Sequence, residues 1–440
     1  MFLVYSLLFS LGVVLTAPYY LWRLRGRIVS GAGWRERFGF LPAAFRQNEV
    51  GAIWVHAVSV GETLAAIGLV RELQQRYPAR KIFLSHVTPA GREAGEARLP
   101  DLAGRFYLPL DWGWAVRRAL RLLRPALLVV VETELWPNLL RAAHELGAHV
   151  VLVNARLSDR SLGRYRLARP FLRRVLENVD RICAQTATDA GRFRSLGARV
   201  ERVVVTGNMK FDATPPRAED LPRLLGKALE LAQRSPVIVA ASTMPGEEAL
   251  LLPAWAEIRR RHPQAVLILA PRHPARFETV AQLLGQEGRA YVRRTALAAE
   301  GQEVASQIAA AEILLLDTIG ELAGIFELAD VVFVGGSLVP AGGHNLLEPA
   351  FWAKPIVFGP HMWNFRDIAR LFQQAGAALQ VRDAQELSRV VLELLGEAAR
   401  RRALGQAAKQ VLEHHAGATG RVLEHMKEWL GTGIPTRAGG

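Results

Sequence analysis

Short apolar runs rich in β-branched residues alternate with longer helical patterns along most of the chain. Apolar runs of this length, separated by amphipathic helices, predict strands of parallel sheets that are covered on both faces. In the first half, strands are predicted at Ala52–His56, Lys81–His86, Leu127–Glu132, His149–Asn154, Arg181–Ala184 and Arg202–Thr206. In the second half, they are predicted at Val237–Ala241, Ala265–Ala270, Ile313–Asp317, Val331–Gly335, Pro355–Phe358 and Ala378–Val381.

The repetition of this pattern in two halves indicates two domains. A chain of 440 residues is too long for one ordinary hydrophobic core. The stretch Asp212–Arg223 is rich in proline and charge, and it is the predicted boundary. We therefore predict an α/β protein with two doubly wound, Rossmann-like domains, residues 28–215 and 216–440, that face each other across a cleft. GT-B glycosyltransferases have this arrangement, although other enzyme classes share it.

The N-terminus carries a long uncharged segment, Phe2–Trp22, followed by Arg23, Arg25 and Arg27. About 20 apolar residues are enough to span a bilayer as a helix, and the basic flank places the rest of the chain in the cytoplasm. A cleaved signal peptide is less consistent with the sequence, because no basic residue precedes the apolar run. Residues 1–27 are therefore predicted to anchor the protein in a membrane, and both a spanning and an interfacial helix fit the pattern.

The chain has a formal net charge of +14, mostly from arginine. Such a charge indicates polyanionic partners: nucleic acid, anionic lipid or a phosphorylated substrate. Nucleic-acid binding is not predicted, because the sequence shows neither a recognisable module nor basic runs interleaved with aromatic residues. The single cysteine, Cys183, excludes an internal disulfide and suits a reducing compartment.

Candidate catalytic residues in the first half follow predicted strands. Ser59 and Glu62 have the spacing of a helix capping box, in which Glu62 reaches back to the backbone N–H of the cap, but Glu62 is also a candidate general base. Glu132 and Glu134 leave an apolar strand and are predicted to lie on the same side of an extended segment. Lys210 is either a phosphate contact or a solvated loop residue. No Asp-x-Asp motif or histidine cluster accompanies these carboxylates, so no metal site is predicted.

Polar, glycine-containing turns follow the strands of the second half. Arg272 lies between two prolines, which suits a phosphate or carboxylate ligand, and Gly320 opens another helix. The turn Gly335–Glu348 combines several glycines with a helix start, and we predict that the activated donor binds there. Glu348, one turn into this helix, is a candidate to accept hydrogen bonds from ribose hydroxyls. The dinucleotide-binding and P-loop motifs are absent.

These residues together resemble the 3-deoxy-D-manno-octulosonic acid (Kdo) transferases of lipopolysaccharide biosynthesis, glycosyltransferase family 30. The resemblance runs along almost the whole chain and includes the N-terminal anchor. It is carried by Glu36–Phe40, His56–Thr63, Glu132–Asn138, Asn154–Ser158, Lys210–Asp212, Pro271–Pro274, Asp317–Thr318, Gly335–Ser337 and Gly342–Glu348. The chain departs from the usual pattern at Ile319, where the family has methionine, and at Arg35 and His86.

The resemblance implies a GT-B fold and inverting, metal-independent transfer of Kdo from CMP-Kdo, with no cofactor. It implies as acceptor a lipid A precursor, lipid IVA, at the anionic cytoplasmic surface of the inner membrane. The first domain would bind this acceptor and the second the donor. By the family pattern, Glu62 is the proton acceptor, and Glu132 and Lys210 stabilise the transition state. The expected CMP contacts are Pro271, Arg272, Ile319, Gly320, Glu321, Asn345, Leu346, Leu347 and Glu348.

Two alternatives remain open from the sequence. A GT-B transferase that uses a UDP-sugar on another membrane lipid would share the domain arrangement and the anchor. A basic, membrane-anchored nucleic-acid-binding protein would share the net charge.

Overall fold

The computed structural model describes residues 1–24, 31–213, 220–298 and 301–431. The chain forms two compact units. The first comprises residues 1–213 together with the segment that begins at His415, and the second comprises the described residues between Thr214 and His414. The two predicted parallel-sheet α/β domains are confirmed, and each predicted strand is present with bounds that differ by at most two residues.

The first unit is built on a seven-stranded parallel sheet with the order β3-β2-β1-β4-β5-β6-β7. Its strands are β1 Ala52–His56, β2 Ile82–His86, β3 Gly104–Tyr107, β4 Pro125–Val131, β5 His149–Ala155, β6 Arg181–Ala184 and β7 Val203–Val205. Its helices up to residue 213 are α1 Phe2–Leu24, α2 Gly31–Arg37, α3 Val60–Arg76, α4 Pro89–Arg98, α5 Gly113–Leu123, α6 Pro137–Glu145, α7 Asp159–Leu167, α8 Arg169–Leu176 and α9 Ala187–Ser195. This is the strand order of doubly wound nucleotide-binding folds, with its reversal between β1 and β4.

The apolar strands of this sheet supply two separate hydrophobic cores. In β4, Leu128 and Val130 pack into the core on one face, whereas Val129 and Val131 pack into the core on the other. Because successive strand residues point to opposite faces, a strand covered on both faces must be apolar throughout. The uninterrupted apolar run of β4 follows from this double burial.

The second unit has its own seven-stranded parallel sheet, with the order β10-β11-β9-β8-β12-β13-β14. Its strands are β8 Val237–Thr243, β9 Val266–Pro271, β10 Tyr291–Arg293, β11 Ile313–Leu315, β12 Val331–Val334, β13 Ile356–Phe358 and β14 Leu379–Gln380. Its helices are α10 Asp220–Leu231, α11 Glu247–Arg261, α12 Phe277–Gln286, α13 Gly301–Ala310, α14 Leu322–Ile325, α15 Leu347–Phe351, α16 Arg366–Gln374, α17 Ala384–Gly396 and α18 Ala398–His415. The strand order reverses between β8 and β12, so ligand-binding loops are expected at the carboxyl ends of these two strands.

The C-terminal segment returns to the first unit through helices α19 Ala418–Glu424 and α20 Lys427–Leu430. The carboxylate of Asp212 accepts hydrogen bonds from the backbone amides of Gly417 and Thr419, at 2.6 and 2.5 Å. Arg421 donates to the carbonyl of Thr206 at 2.7 Å. The predicted domain boundary assigned this segment to the second domain, whereas its contacts attach it to the first.

The predicted N-terminal anchor is helix α1, and its first turns pack on the first unit. Tyr5 donates to the carboxylate of Asp111, and the hydroxyls of Ser6 and Ser10 accept from Asn138 and Trp112, each at 2.9 Å. Large apolar side chains of α1 that point away from the unit are exposed, at Leu3, Val4, Leu7, Leu8, Leu11, Val14 and Leu15. Among the described residues, no helix has the length and apolar character needed to cross a membrane. The predicted basic flank at Arg25 and Arg27 lies outside the described residues.

Candidate active site

The turn between β1 and α3 holds Glu62 in a nearly buried position. Ser59 caps the helix and donates its hydroxyl hydrogen to Glu62 Oε1 at 2.9 Å. The backbone N–H of Val58 donates to Glu62 Oε2 at 2.8 Å, and Glu62 is only 9% exposed. The predicted capping box is thus modified, because Glu62 reaches the amide of the residue before the cap and not that of Ser59. Each carboxylate oxygen keeps a lone pair with which to accept a further proton.

The charges near Glu62 are those of Glu132, which follows the neighbouring strand β4, and of Lys210. Burial raises the pKa of Glu62, the Val58 hydrogen bond lowers it, and the charge of Glu132 raises it again. The hydrogen bond from Ser59 and the charge of Lys210 lower it. A raised pKa makes a carboxylate a stronger base, so this setting suits proton abstraction.

Glu132 and Lys210 form an ion pair, with 3.1 Å between Glu132 Oε1 and Lys210 Nζ. Lys210 lies in a short 3₁₀ turn, Met209–Asp212, that is capped by the side chain of Asn208. The amide of Met209 also donates to the side chain of Asn154 at 3.0 Å. Two fixed backbone amides therefore position Lys210. The structure brings together the three predicted catalytic residues, since the charges of Glu132 and Lys210 both act on Glu62.

Two residues around this site, Glu132 and Asn154, adopt a left-handed backbone conformation that the sequence did not predict. Glu132 has φ of +60° and Asn154 has φ of +53°. Such a conformation costs on the order of 1–3 kcal/mol for a residue other than glycine, and strain of this kind concentrates at functional sites. Asparagine tolerates this conformation better than glutamate, so only at Asn154 could the residue type have indicated it. The hydrogen bond from the Glu132 amide to the carbonyl of Val153, at 2.8 Å, holds the turn.

Glu134 is a further titratable group beside this site. Burial, together with the charge of Glu62, raises the pKa of Glu134 to about 7. The predicted extended segment is wrong here, because Glu132 and Thr133 form a turn. The left-handed conformation of Glu132 causes the difference, since it ends the regular alternation of the strand.

In the second unit, Pro271 ends β9 and Arg272 follows it at the surface. The Arg272 amide donates to the carbonyl of Thr243 at 3.0 Å. Its guanidinium makes no hydrogen bond or ion pair with other described residues, so it is available to an anion. Burial lowers the pKa of His344 to about 4, and the nearby charge of Arg272 contributes. This proximity connects the Arg272 segment with the glycine-rich turn.

The part of the glycine-rich turn that precedes α15 has a defined backbone. Gly342 and Gly343 have φ of +98° and +72°. A Cβ atom on Gly343 would collide with the sulfur of Met362. The Asn345 side chain accepts from the Leu347 amide at 3.1 Å and donates to Glu348 at 3.2 Å. Leu346 and Leu347 are buried.

The third predicted donor segment is the turn before α14. Gly320 has φ of +94°, and Ile319 is 67% exposed. Glu321 accepts from Arg294 at 2.9 Å and from the hydroxyl of Thr318. The two partners of Glu321 therefore lie in its own turn and directly after β10, the strand that pairs with β11. No described group of three or more histidine, cysteine, aspartate or glutamate side chains has the arrangement of a metal site.

Comparison with known proteins identifies the family. The family model described as 3-Deoxy-D-manno-octulosonic-acid transferase (kdotransferase) matches residues 32–213. A 3-deoxy-D-manno-octulosonic acid transferase of Bordetella pertussis is 39% identical over 425 residues, which are 94% of this chain and 96% of that protein. The chain belongs to this family. The resemblance inferred from the motifs is confirmed, and the chain is a Kdo transferase, a glycosyltransferase of lipopolysaccharide biosynthesis.

A second relative supports the family, and a solved structure supports the fold. The 3-deoxy-D-manno-octulosonic acid transferase of Haemophilus influenzae is 36% identical over 397 residues, which are 90% of this chain and 91% of that protein. The crystal structure of UDP-GlcNAc 2-epimerase from Neisseria meningitidis bound to UDP-GlcNAc has a TM-score of 0.56. That structure is 13% identical and covers 86% of this chain and 100% of its own, so it shows the GT-B-like fold alone.

Proposed function

We propose that the protein transfers Kdo from CMP-Kdo to a hydroxyl of a lipid A precursor, lipid IVA, with inversion at the anomeric carbon and without a metal. The observation that carries this proposal is the buried Glu62 carboxylate beside the Glu132–Lys210 ion pair. Inversion by direct displacement needs one base and one stabilised leaving group. The first unit offers the base, and the second offers the exposed cation Arg272 and the glycine-rich turn.

The bond changes follow from these roles. Glu62 takes the proton of the acceptor hydroxyl while that oxygen forms a bond to C2 of Kdo. The bond between C2 and the phosphate oxygen breaks, and CMP leaves with the electron pair. Lys210 and Arg272 are the cations proposed to balance the charge of the transition state and of the departing phosphate. The proton remains on Glu62 until solvent removes it.

We propose that CMP-Kdo binds to the second unit through Pro271, Arg272, the Ile319–Glu321 turn and Asn345–Glu348. Arg272 supports this, because its guanidinium is exposed next to the glycine-rich turn. The Glu348 carboxylate, in the first turn of α15, is the proposed acceptor of hydrogen bonds from the ribose hydroxyls. Calorimetric titration with CMP and with UDP separates this proposal from a UDP-sugar transferase. CMP is expected to bind at least tenfold more tightly, and a preference for UDP would contradict the proposal.

We propose further that α1 attaches the protein to the cytoplasmic face of the inner membrane by lying in the interface. Tyr5, Ser6 and Ser10 bond to the first unit, and a helix that crossed the bilayer from residue 2 would have to break these contacts. The opposite face of α1 exposes leucine and valine side chains, as expected of a helix that inserts one face into lipid.

An aromatic and basic surface continues from α1. The ring of Phe9 lies 6.3 Å from that of Trp112, which stacks on Trp114 at 5.7 Å. Trp114 and Phe40 are about half exposed, and the Arg118 guanidinium lies 3.9 Å from the centre of the Phe40 ring. Tryptophan and arginine together favour the headgroup region of an anionic bilayer. We therefore propose this surface as part of the membrane contact.

A further inference from the structure

Two adjacent carboxylates, Glu247 and Glu248, are buried at the start of α11. Glu247 has no exposed surface, and Glu248 is 1% exposed. Both follow β8, one of the two strands at which the order of the second sheet reverses. Burial of two neighbouring charges is costly unless each has several partners. Their partners therefore indicate what the pair does.

Glu247 accepts four hydrogen bonds from backbone amides. Its Oε2 accepts from Gly336 at 2.6 Å and from Met244 at 3.1 Å, and its Oε1 accepts from Ser337 at 3.1 Å and from Leu338 at 3.0 Å. Successive amides that converge on one anion form a nest, a common phosphate-binding geometry. Here the carboxylate of the protein itself fills the nest. The Gly336 and Ser337 amides of the predicted donor turn are thus already satisfied, and the Gly335 amide donates to the carbonyl of Ala241 at 2.8 Å.

The turn around this carboxylate has no spare volume. A Cβ atom on Gly335 would lie 2.8 Å from the carbonyl oxygens of Ala241 and Ser242, and 2.9 Å from Glu247 Oε2. Ser242 itself has φ of +58°, so the end of β8 is strained as well. Strain of this kind persists only where surrounding contacts maintain it. The four hydrogen bonds of Glu247 are such contacts.

The nest is one hydrogen bond away from a proposed donor segment. The Gly343 amide donates to the carbonyl of Gly336 at 2.7 Å. Ser337 also accepts through its hydroxyl from the Gly359 amide at 2.8 Å and through its carbonyl from the His361 amide at 3.0 Å. The backbone that Glu247 fixes therefore sets the position of Gly343 and of the Asn345–Glu348 segment after it.

Glu248 is connected in the same way to the other side of the donor site. It forms a bidentate ion pair with Arg276, with both distances at 2.7 Å. The Thr243 hydroxyl donates to it at 2.7 Å, and the carbonyl of Thr243 accepts from the Arg272 amide at 3.0 Å. Glu248 thus holds the backbone from which the Arg272 guanidinium extends.

We propose that Glu247 and Glu248 are positioning residues that set the distance between two segments of the proposed donor site, Arg272 and Asn345–Glu348. Glu247 acts through the 336–338 backbone on Asn345–Glu348, and Glu248 acts through Thr243 and Arg276 on Arg272. Neither carboxylate contacts the donor. The inference rests on the proposed donor, CMP-Kdo, and on its binding to these segments.

The test uses Glu247→Gln and Glu248→Gln in the full-length protein, with CMP as the probe. A glutamine amide at residue 247 turns a hydrogen-bond acceptor into a donor that faces two backbone N–H groups, so the turn must shift. We expect the Kd of CMP to rise roughly 10-fold for each variant. KM for CMP-Kdo should rise in parallel. For Glu247→Gln, kcat should change by less than about 3-fold, because Glu247 holds neither the proposed base nor Arg272.

Glu257→Gln is the matched control. Glu257 is on the same helix and pairs only with Arg260 and Arg261 in the described structure, so CMP affinity should stay unchanged. Where Glu247→Gln does not yield folded protein, Arg276→Lys is the second arm. It keeps the charge but removes the bidentate geometry, and it too should weaken CMP binding. Folded variants that bind CMP like the wild type would overturn the positioning role. A wild-type protein that does not bind CMP would overturn the proposed donor itself.

Discussion

The ammonium group of Lys210 lies 3.1 Å from the carboxylate of Glu132, although 78 positions separate the two residues in the chain. The pair acts on a third residue, because the charge of Glu132 raises the pKa of Glu62 while that of Lys210 lowers it. The two influences oppose each other, so burial remains the main cause of the raised pKa. The structure thus relates the proposed base to both proposed stabilising residues.

Replacement of the proposed base tests its role. Glu62→Gln keeps the size of the side chain but cannot take a proton, so Kdo transfer should fall by about 100-fold or more. CMP affinity should stay the same, because the proposed donor segments belong to the second unit. Initial rates and calorimetric titration measure the two quantities. Glu72→Gln is the control, since Glu72 is on the same helix and pairs with Arg76. A Glu62→Gln protein with near-normal transfer would end the base assignment.

Removing the charge of Lys210 and removing the charge of Glu132 should shift the pH profile of transfer in opposite directions. The base works only when ionised, so activity is lost as pH falls through its pKa. Lys210→Met removes a charge that lowers this pKa, and the acid limb of kcat/KM should shift to higher pH. Glu132→Gln removes a charge that raises it, and the limb should shift to lower pH. The same direction of shift for both variants would show that another group controls the limb.

Buried neutral histidines predict acid sensitivity of the first unit. Burial lowers the pKa of His56 to about 3 and that of His86 to about 4, from a normal value of 6.5. The unfolded chain binds these protons first, so stability is full above about pH 6.5 and falls as the pH decreases below it. Urea unfolding at pH 7.5 and 5.5 measures the loss. His86→Met should reduce the slope by up to about 1.4 kcal/mol per pH unit. An unchanged slope would show that His86 has the same pKa in the folded and the unfolded chain, which would contradict this prediction.

The exposed face of α1 predicts that polar substitutions there weaken membrane binding. Leu7→Gln combined with Leu11→Gln removes two exposed apolar side chains from the proposed lipid face. The two leucines together contribute about 3–6 kcal/mol when buried in lipid, so partition onto anionic vesicles should weaken by about 100-fold or more. CMP affinity is the control and should not change. Equal vesicle binding by the variant and the wild type would contradict the interfacial role of this face.

Much of the fold was predictable from the sequence, because doubly covered strands are apolar throughout. Two edge strands, β3 and β10, were missed; each is at most four residues long and contains an arginine, Arg105 or Arg293. The return of α19 and α20 to the first unit has no local signal either. It depends on Asp212, whose partners are more than 200 residues away.

The candidate site was predictable only in part. Glu62, Glu132 and Lys210 follow strands of one sheet, and a parallel sheet brings such residues to one edge. The ion pair, the left-handed Glu132 and the pKa of Glu134 depend on three-dimensional neighbours. The same is true of Glu247. A glutamate at a helix start reads as an ordinary cap, and only the structure shows that it fills the backbone nest at Gly336.

The most direct test of the proposed transfer is mass spectrometry of the lipid product. Purified protein is incubated with CMP-Kdo and a tetra-acylated lipid A precursor in the presence of a metal chelator, with Glu62→Gln in parallel. The proposed function predicts that the wild-type lipid gains the mass of one or more Kdo residues, that CMP is released in equal amount, and that the variant lipid stays unmodified. A lipid that remains unmodified by folded wild-type protein able to bind CMP would contradict it.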